Sequence, residues 1–333
     1  MAIILQNDFH GAVDYGSVIN APGARDWFDD PYFHTPLLQL FGQTWENSTF
    51  AAKTTPVYKR YGNLKLDEYG RMIEKIPACI AIEPPKPWKP FPDHVVNAVG
   101  LSTPGLVELL NHNIWQRWPK PFFLSVETVA DTQDERIHQA YAIYSRLRQK
   151  DFASPFALDV NWGCPNVGQD NFDGLLDEIR IISTALSEIG VPLVANFGPT
   201  ASAELIADVA SLGIYQALRL ANSFPWNLVP YNIRKKLFGS TVSPLERRGF
   251  KDTPGGLSGP ECLPFVIQQF KAVRACGVTT PVIIGNGIQS QEAVQQVKDA
   301  GVDAGIAIGI VNLLRPHRMR GIIDLANSLF GGK

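Results

Sequence analysis

The sequence lacks most of the features that mark membrane, secreted or nucleic-acid-binding proteins. It has no run of about 18 apolar residues that could span a bilayer, and residues 1–16 lack the cationic start and apolar run of a signal peptide. With 30 Lys and Arg against 32 Asp and Glu, the basic surplus typical of duplex binders is missing. Four cysteines show no metal-ligand spacing and are too few for a disulfide scaffold. These absences predict a soluble cytoplasmic protein with no membrane or nucleic-acid partner.

The chain is rich in hydrophobic residues, which make up 45% of its 333 residues. Its 28 glycines and 25 prolines fall between short apolar runs instead of forming one linker. About 150 residues per domain would suggest two domains, but α/β barrels often run to about 250 residues or more as one. We therefore expect a single domain over residues 1–333.

Eight short apolar runs alternate with helical patterns along the chain. Continuous apolar runs of this length are typical of parallel strands buried on both faces. The runs cover residues 17–20, 49–53, 122–127, 156–162, 192–198, 215–223, 281–287 and 304–309, and the helical patterns cover 134–150, 172–189, 203–212, 264–275, 291–300 and 318–330. This alternation predicts an α/β fold, a (β/α)₈ TIM barrel, with an open doubly wound sheet as the alternative.

Two segments, about residues 62–93 and 224–260, interrupt the alternation. Both follow strand ends, where a barrel carries its active-site loops. Loops of this length in compact domains are usually functional lids or disordered segments. We therefore expect them to be insertions at the C-terminal mouth of the barrel.

The strongest local feature is the run Asn-Trp-Gly-Cys-Pro-Asn at residues 161–166. It places Cys164 just after the fourth predicted strand, at the barrel mouth. A thiol there could act as a general acid or base, or as a nucleophile. Buried cysteines also serve as small hydrophobic residues, and position alone does not separate the two roles.

Four asparagines stand at predicted strand ends or in the loops of the mouth. An amide offers a donor and an acceptor in one neutral group, which suits a ligand that alternates C=O and N–H groups, such as a pyrimidine. Any single asparagine is more often a turn residue, but four around one cysteine favour a binding site. The candidate substrate-binding residues are Asn97, Asn161, Asn166 and Asn222, with Ser223 beside the last.

Glycines follow the last two predicted strands. Gly285, Asn286 and Gly287 come after the seventh, and Gly309 ends the eighth. Loops at these two positions commonly hold a phosphate through backbone N–H groups. The placement predicts a phosphorylated cofactor or substrate.

Three motifs together resemble the dihydroorotate dehydrogenase family: Asn-x-x-Cys-Pro-Asn at 161–166, Gly-Gly-Leu-Ser-Gly-Pro at 255–260, and an Asn-x-x-Gly-Leu segment. The resemblance runs from about residue 18 to residue 329. It implies an FMN-containing barrel that oxidises dihydroorotate to orotate in pyrimidine biosynthesis. In the soluble, class 1 members the base is a cysteine, which falls on Cys164 here, and the asparagines named above match the residues that contact orotate.

The resemblance also implies the residues that contact FMN and the assembly. Soluble relatives are homodimers, or work with an iron–sulfur flavoprotein subunit, so we expect a homodimer, and the electron acceptor stays open. The implied cofactor-binding residues are Ala21, Gly23, Lys53, Thr54, Asn196, Gly255, Gly256, Gly285, Asn286, Gly287 and Gly309.

The chain departs from the family pattern at two places. The family has a lysine on strand five that faces the flavin, and Asn196 stands there. A cation would stabilise an anionic reduced flavin better than a neutral amide does. The phosphate loop is also one glycine short; Arg219, on strand six, is a cation that could compensate, although strand alternation does not favour it.

Other functions fit part of the pattern. Dihydrouridine synthases carry Asn-x-Gly-Cys-Pro in an FMN barrel, but they add a basic RNA-binding domain and share the strand-five lysine. A barrel that binds FMN or a metabolite without this turnover would explain Asn196. A barrel without flavin could use the glycine loops for a sugar phosphate.

Overall fold

The computed structural model describes residues 2–29, 32–67, 69–87, 89–163 and 175–331. Its strands are β1 Ile4–Asn7, β2 Gly11–Asp14, β3 Val18–Asn20, β4 Ile80–Ile82, β5 Val95–Asn97, β6 Phe122–Val126, β7 Phe156–Asn161, β8 Leu193–Phe197, β9 Tyr215–Leu220, β10 Phe224–Pro225, β11 Gly256–Ser258, β12 Val282–Gly285 and β13 Gly305–Ile308. Its helices are α1 Thr35–Leu40, α2 Leu106–Asn111, α3 Gln133–Arg148, α4 Leu175–Ser187, α5 Ala203–Ser211, α6 Tyr231–Phe238, α7 Leu263–Ala275, α8 Gln291–Asp299, α9 Val311–Leu314 and α10 Met319–Phe330.

A parallel sheet of seven strands, in the order β3, β13, β12, β9, β8, β7, β6, forms the centre of the protein. Residues 49–55 occupy the gap between its two edges. The Thr49 N–H donates to the Val18 carbonyl at 2.8 Å, and the Phe123 N–H donates to the Phe50 carbonyl at 2.9 Å. Parallel bridges on both sides make this segment the eighth strand position. The predicted (β/α)₈ barrel is therefore confirmed, and the open doubly wound sheet is excluded.

Alternating side chains fill the barrel and face its helices. The inward positions carry mainly small or branched apolar residues, which pack into one buried cluster: Ile19, Ala51, Phe123, Ala157, Val194, Ala217, Ile283 and Ala307. The outward positions pack against the helices, whose bounds confirm the predicted helical patterns to within about three residues. Helix α3, for example, begins with a capping box between Thr132 and Glu135.

The described helices include none with both the length and the apolar composition needed to cross a bilayer.

A hairpin of β1 and β2 covers the N-terminal end of the barrel. Ile3, Leu5, Val13 and Tyr15 are buried against the inward-facing cluster. The sequence analysis did not predict this hairpin, because its two strands of four residues mix polar and apolar positions. The hairpin seals the barrel core against solvent.

The two interrupting segments build a second sheet at the opposite end, together with β5, which follows the first of them. Strands β10, β11, β5 and β4 pair antiparallel around a separate apolar cluster that includes Val96, Trp226 and Leu257. Buried His94 ties this sheet to the barrel, since its Nδ1 lies 2.7 Å from Glu83 and its Nε2 contacts Glu261, just before α7. Residues 62–93 and 224–260 are thus folded walls at the C-terminal mouth.

Replacing Leu5 with alanine tests whether the hairpin stabilises the barrel. Leu5 is 2% exposed, whereas its neighbour Ile4, on the other face of β1, is 58% exposed. We expect Leu5→Ala to lower the free energy of unfolding by about 2–5 kcal/mol, because it leaves a cavity in the core. Ile4→Ala is the matched control and should change it by about 0.5 kcal/mol or less. Urea unfolding followed by circular dichroism measures both, and equal effects of the two changes would contradict a sealing role.

Candidate active site

A cavity of about 660 Å³ lies where the barrel strands end. Eleven of the predicted site residues line it, from seven different parts of the chain. They are Ala21, Gly23, Lys53, Thr54, Asn97, Asn161, Asn222, Ser223, Asn286, Gly287 and Gly309. Residues at the carboxyl ends of parallel strands meet at one edge, which explains this convergence.

The insertion at 62–93 adds an apolar wall that the sequence analysis did not assign to the site. Leu64, Met72, Ile76, Ile80 and Ile82 line the outer part of the cavity. Ile76 is 86% exposed, so this wall extends to the protein surface. The cavity is therefore polar where the strands end and apolar towards its rim.

Four predicted cofactor residues lie behind the cavity lining. Asn196 is buried, and a Cβ atom at Gly256 would lie 2.1 Å from the Ser223 Oγ. A Cβ at Gly285 would lie 2.8 Å from the Ala221 Cβ, and Gly255, with φ of +86°, packs on the Asn97 carbonyl. Because these glycines have no side chains, their backbones pack directly against the lining residues Ser223, Ala221 and Asn97.

Two further predicted residues, Cys164 and Asn166, lie outside the described residues. The roles assigned to them stay predictions.

Three asparagines, Asn196, Asn222 and Asn161, form a hydrogen-bonded series that we call the asparagine chain. The Asn196 Nδ2 donates to the Asn222 Oδ1 at 3.5 Å. The Asn222 Nδ2 donates to the Asn161 Oδ1 at 2.8 Å and to the Gly163 carbonyl at 3.0 Å. The Asn161 Nδ2 in turn donates to a carboxyl oxygen of Glu127. Every link therefore points the same way, towards Glu127.

Glu127 is a site residue that the sequence analysis missed. It directly follows β6, is 3% exposed, and its N–H donates to the Thr55 carbonyl at 3.3 Å. Burial raises the pKa of its carboxyl to about 8, against the opposing effects of Asn161 and Arg60. The sequence did contain a signal for this residue: Glu127 is a charged residue at the end of an apolar run. It is also two residues after Ser125 and four after Phe123, whose side chains point into the barrel, so its own side chain points inwards as well.

Lys53 supplies positive charge at the cavity. Its Nζ lies 4.1 Å from the centre of the Trp27 ring and donates to the Ser102 carbonyl at 3.3 Å. Burial lowers the pKa of this ammonium group, and the Asp26 carboxylate opposes that shift. A half-buried cation over an aromatic face can bind an anionic ligand group at the cavity.

Arg219 lies inside the barrel, at the level of Asn196. It is fully buried and is the register partner of Asn196 on the next strand. Its guanidinium donates to the Asp159 Oδ2 at 3.3 Å and to the Asn20 carbonyl at 3.0 Å. Burial raises the pKa of Asp159, and the charge of Arg219 opposes the rise. Arg219 does not line the cavity, so it does not supply charge to the glycine loops there.

The glycine loops meet the cavity through their backbones. Asn286 and Gly287 have φ angles of +65° and +91°. The Asn286 side chain holds neighbouring loops together, since it accepts from the Gly259 N–H at 3.2 Å and donates to the Asn222 carbonyl at 3.2 Å. A Cβ at Gly309 would lie 3.2 Å from the Ala21 Cβ. Gly287 and Gly309 both line the cavity, at positions where side chains would press on Leu263 and Ala21.

Comparison with known proteins agrees with this geometry. No family model matches the chain. It is 27% identical over 271 residues to the catalytic subunit of dihydroorotate dehydrogenase B (NAD⁺) of Listeria innocua, covering 78% of this chain and 80% of that protein. It is 26% identical over 230 residues to the same subunit of Bacillus caldolyticus, covering 68% of this chain and 67% of that protein.

A solved structure has a similar fold. The ligand-free crystal structure of dihydroorotate dehydrogenase from Eimeria tenella superimposes with a TM-score of 0.61 at 15% identity, over 94% of this chain and 83% of that one. The identity is too low for this likeness to indicate more than the fold. The chain is thus similar in sequence to catalytic subunits of dihydroorotate dehydrogenase B over most of its length, and it shares the fold of a dihydroorotate dehydrogenase.

Proposed function

We propose that this chain is a single FMN-binding domain that oxidises dihydroorotate to orotate, with Cys164 as the base. The observation that carries this proposal is the convergence of Asn97, Asn161, Asn222 and Ser223 with the cation of Lys53 on one cavity. A pyrimidine with a carboxylate needs such a set of amides beside a positive charge. The names of the sequence relatives support the same reaction.

Two features of the described part of the cavity support FMN as the cofactor. Its volume of about 660 Å³ lies within the range of about 300–1,000 Å³ usual for ligand sites. Gly287 and Gly309 would offer backbone N–H groups to the phosphate, as loops after the last two strands commonly do. A side chain at Gly287 would collide with the Leu263 backbone 2.8 Å away, so a narrow backbone cradle is built into this end. Bound FMN would supply the acceptor for a hydride leaving the substrate ring.

The residues of this chain would bind the substrate and move its proton. Lys53 would neutralise the substrate carboxylate, and the amides of the asparagine chain would orient the ring. The Cys164 Sγ would remove a proton from one ring carbon. The position of the backbone before Cys164 supports this role. Gly163 packs closely against Gly198, since a Cβ atom at Gly163 would lie 2.3 Å from the Gly198 nitrogen. The Gly163 carbonyl also accepts a hydrogen bond from Asn222.

For assembly, we propose a cytoplasmic homodimer. The relatives are named as catalytic subunits, which makes a second, different subunit the alternative partner.

The visible spectrum of the purified protein tests the proposed function. We expect one non-covalent FMN per chain, released on denaturation, and loss of its absorbance when dihydroorotate is added under anaerobic conditions. A yellow protein that dihydroorotate does not bleach would instead indicate a flavin barrel without this turnover. A colourless protein that takes up no FMN on refolding would contradict the cofactor.

Cys164→Ala tests the base. We expect FMN to stay bound and flavin reduction by dihydroorotate to slow by about 10²–10⁴-fold, the usual contribution of a positioned acid or base. Cys164→Ser should keep more activity, which rises with pH, because a hydroxyl is a weaker acid than a thiol. Cys276 is exposed, so Cys276→Ala is a matched control that should leave the rate unchanged. Anaerobic stopped-flow spectroscopy measures all four proteins, and an unchanged rate in Cys164→Ala would remove Cys164 from the mechanism.

The position of the family lysine is occupied by a neutral residue next to a buried cation. Asn196 and Arg219 are register partners on the inner face of the barrel. A lysine at 196 would therefore bring a second positive charge beside the guanidinium. The neutral amide at 196 is consistent with an arginine already present on the neighbouring strand.

Asn196→Lys should consequently lower stability in this chain. We expect a loss of several kcal/mol, since a buried like-charge pair is strongly unfavourable. Asn196→Leu, of similar size and without charge, is the control for lost amide contacts. In an Arg219→Met background the lysine should be tolerated better. Thermal melts of the single and double variants measure this coupling, and simple additivity of the two changes would contradict it.

A further inference from the structure

The asparagine chain has a direction, and a carboxyl group stands at its end. From Asn196 through Asn222 to Asn161, each Nδ2 donates to the next acceptor, and the last donates to Glu127. An amide can be turned over so that its nitrogen and oxygen change places, whereas a carboxylate only accepts. Two groups therefore hold the direction of the series: the Gly163 carbonyl, which only accepts from Asn222, and Glu127, which only accepts from Asn161 once it is ionised.

The direction determines which atoms the cavity receives. Both hydrogens of the Asn222 Nδ2 are engaged, one by Asn161 and one by the Gly163 carbonyl. Asn222 can thus offer a ligand only its Oδ1, an acceptor. If the series ran the other way, Asn222 would turn its nitrogen to that position and offer a donor. Reversal would exchange a ligand N–H group for a C=O group as the preferred partner.

We propose that ionised Glu127 is a positioning residue that, together with the Gly163 carbonyl, fixes the orientation of the Asn161 and Asn222 amides, and thereby selects ligands that present N–H groups to Asn222. The proposal deepens the proposed function and rests on it for the identity of the ligand. Glu127 does not line the cavity, so it acts through Asn161, which does. Its burial and its bond to Asn161 hold it there independently of any ligand.

One charged group acts on Glu127 electrostatically, and other charged side chains lie on the two elements that pair with β6. The first is Arg60, in the segment that follows residues 49–55. Lys53 lies on that eighth strand position, and Asp159 lies on β7, where it is paired with Arg219. Because burial places the pKa of Glu127 at about 8, its carboxyl gains charge just above neutral pH. The Asn161 Nδ2 then donates to a stronger acceptor.

The test combines a ligand-free and a ligand-bound measurement on the FMN-loaded protein. With asparagine labelled at its side-chain nitrogen, NMR follows the Asn161 and Asn222 amide protons from pH 6 to 10. We expect them in the wild type to shift with a midpoint near pH 8, and in Glu127→Gln to lose that titration. Glu178→Gln is the matched control, because Glu178 is another buried carboxylate, 4% exposed and paired with Arg136 on the barrel exterior.

The second measurement is the affinity for orotate at pH 9, where Glu127 is ionised. We expect Glu127→Gln to weaken it by about 10–100-fold, the scale of a misdirected buried hydrogen bond, and Glu178→Gln to leave it within about twofold. Amide signals that do not titrate in the wild type, which needs no variant to fold, would overturn the proposal. So would unchanged affinity in a folded Glu127→Gln. Failure of orotate to bind the wild type would instead refute the proposed function, and the NMR titration would still decide the role of Glu127.

Discussion

The parallel register of β7, β8 and β9 is the constraint on which the site depends. Asn161, Asn196 and Arg219 are direct register partners, so their side chains leave the sheet at the same height on the inner face. An apolar cluster fills the barrel below this level, and the cavity opens above it. A shift of one strand by one residue would turn its polar side chain outwards into the helices. The closed barrel thus fixes the polar layer before any ligand is present.

Much of this arrangement could be predicted from the sequence, because two physical signals are strong. Apolar runs such as 156–162 require a strand buried on both faces, and the structure has β7 there. Polar residues at the ends of such runs, including Asn161 and Asn222, must then meet at one mouth. Both conclusions need only the local pattern of apolar and polar residues and the rule that the carboxyl ends of parallel strands lie at the same edge of the sheet.

Other features depend on contacts that no local pattern contains. Residues 49–55 form a strand position only because β3 and β6 bond to them from both sides. The resemblance implies Gly256 as a cofactor-binding residue, but only the fold shows that it packs behind Ser223, where a side chain would not fit. The role of Glu127 could not be predicted because the groups that bind it, Asn161 and Thr55, are far from it in the sequence. The roles of these residues follow from the neighbours that the fold places around them, and the residue type alone does not reveal them.

The hairpin across the N-terminal end has a consequence for the order of events. The interior beneath the polar layer is packed with side chains from Leu5 and Tyr15 up to Ala307. Molecules therefore reach the strand ends from the mouth side, past the wall of residues 62–93. A ligand that binds deep in this cavity must therefore enter before one that binds nearer the rim, and must leave after it.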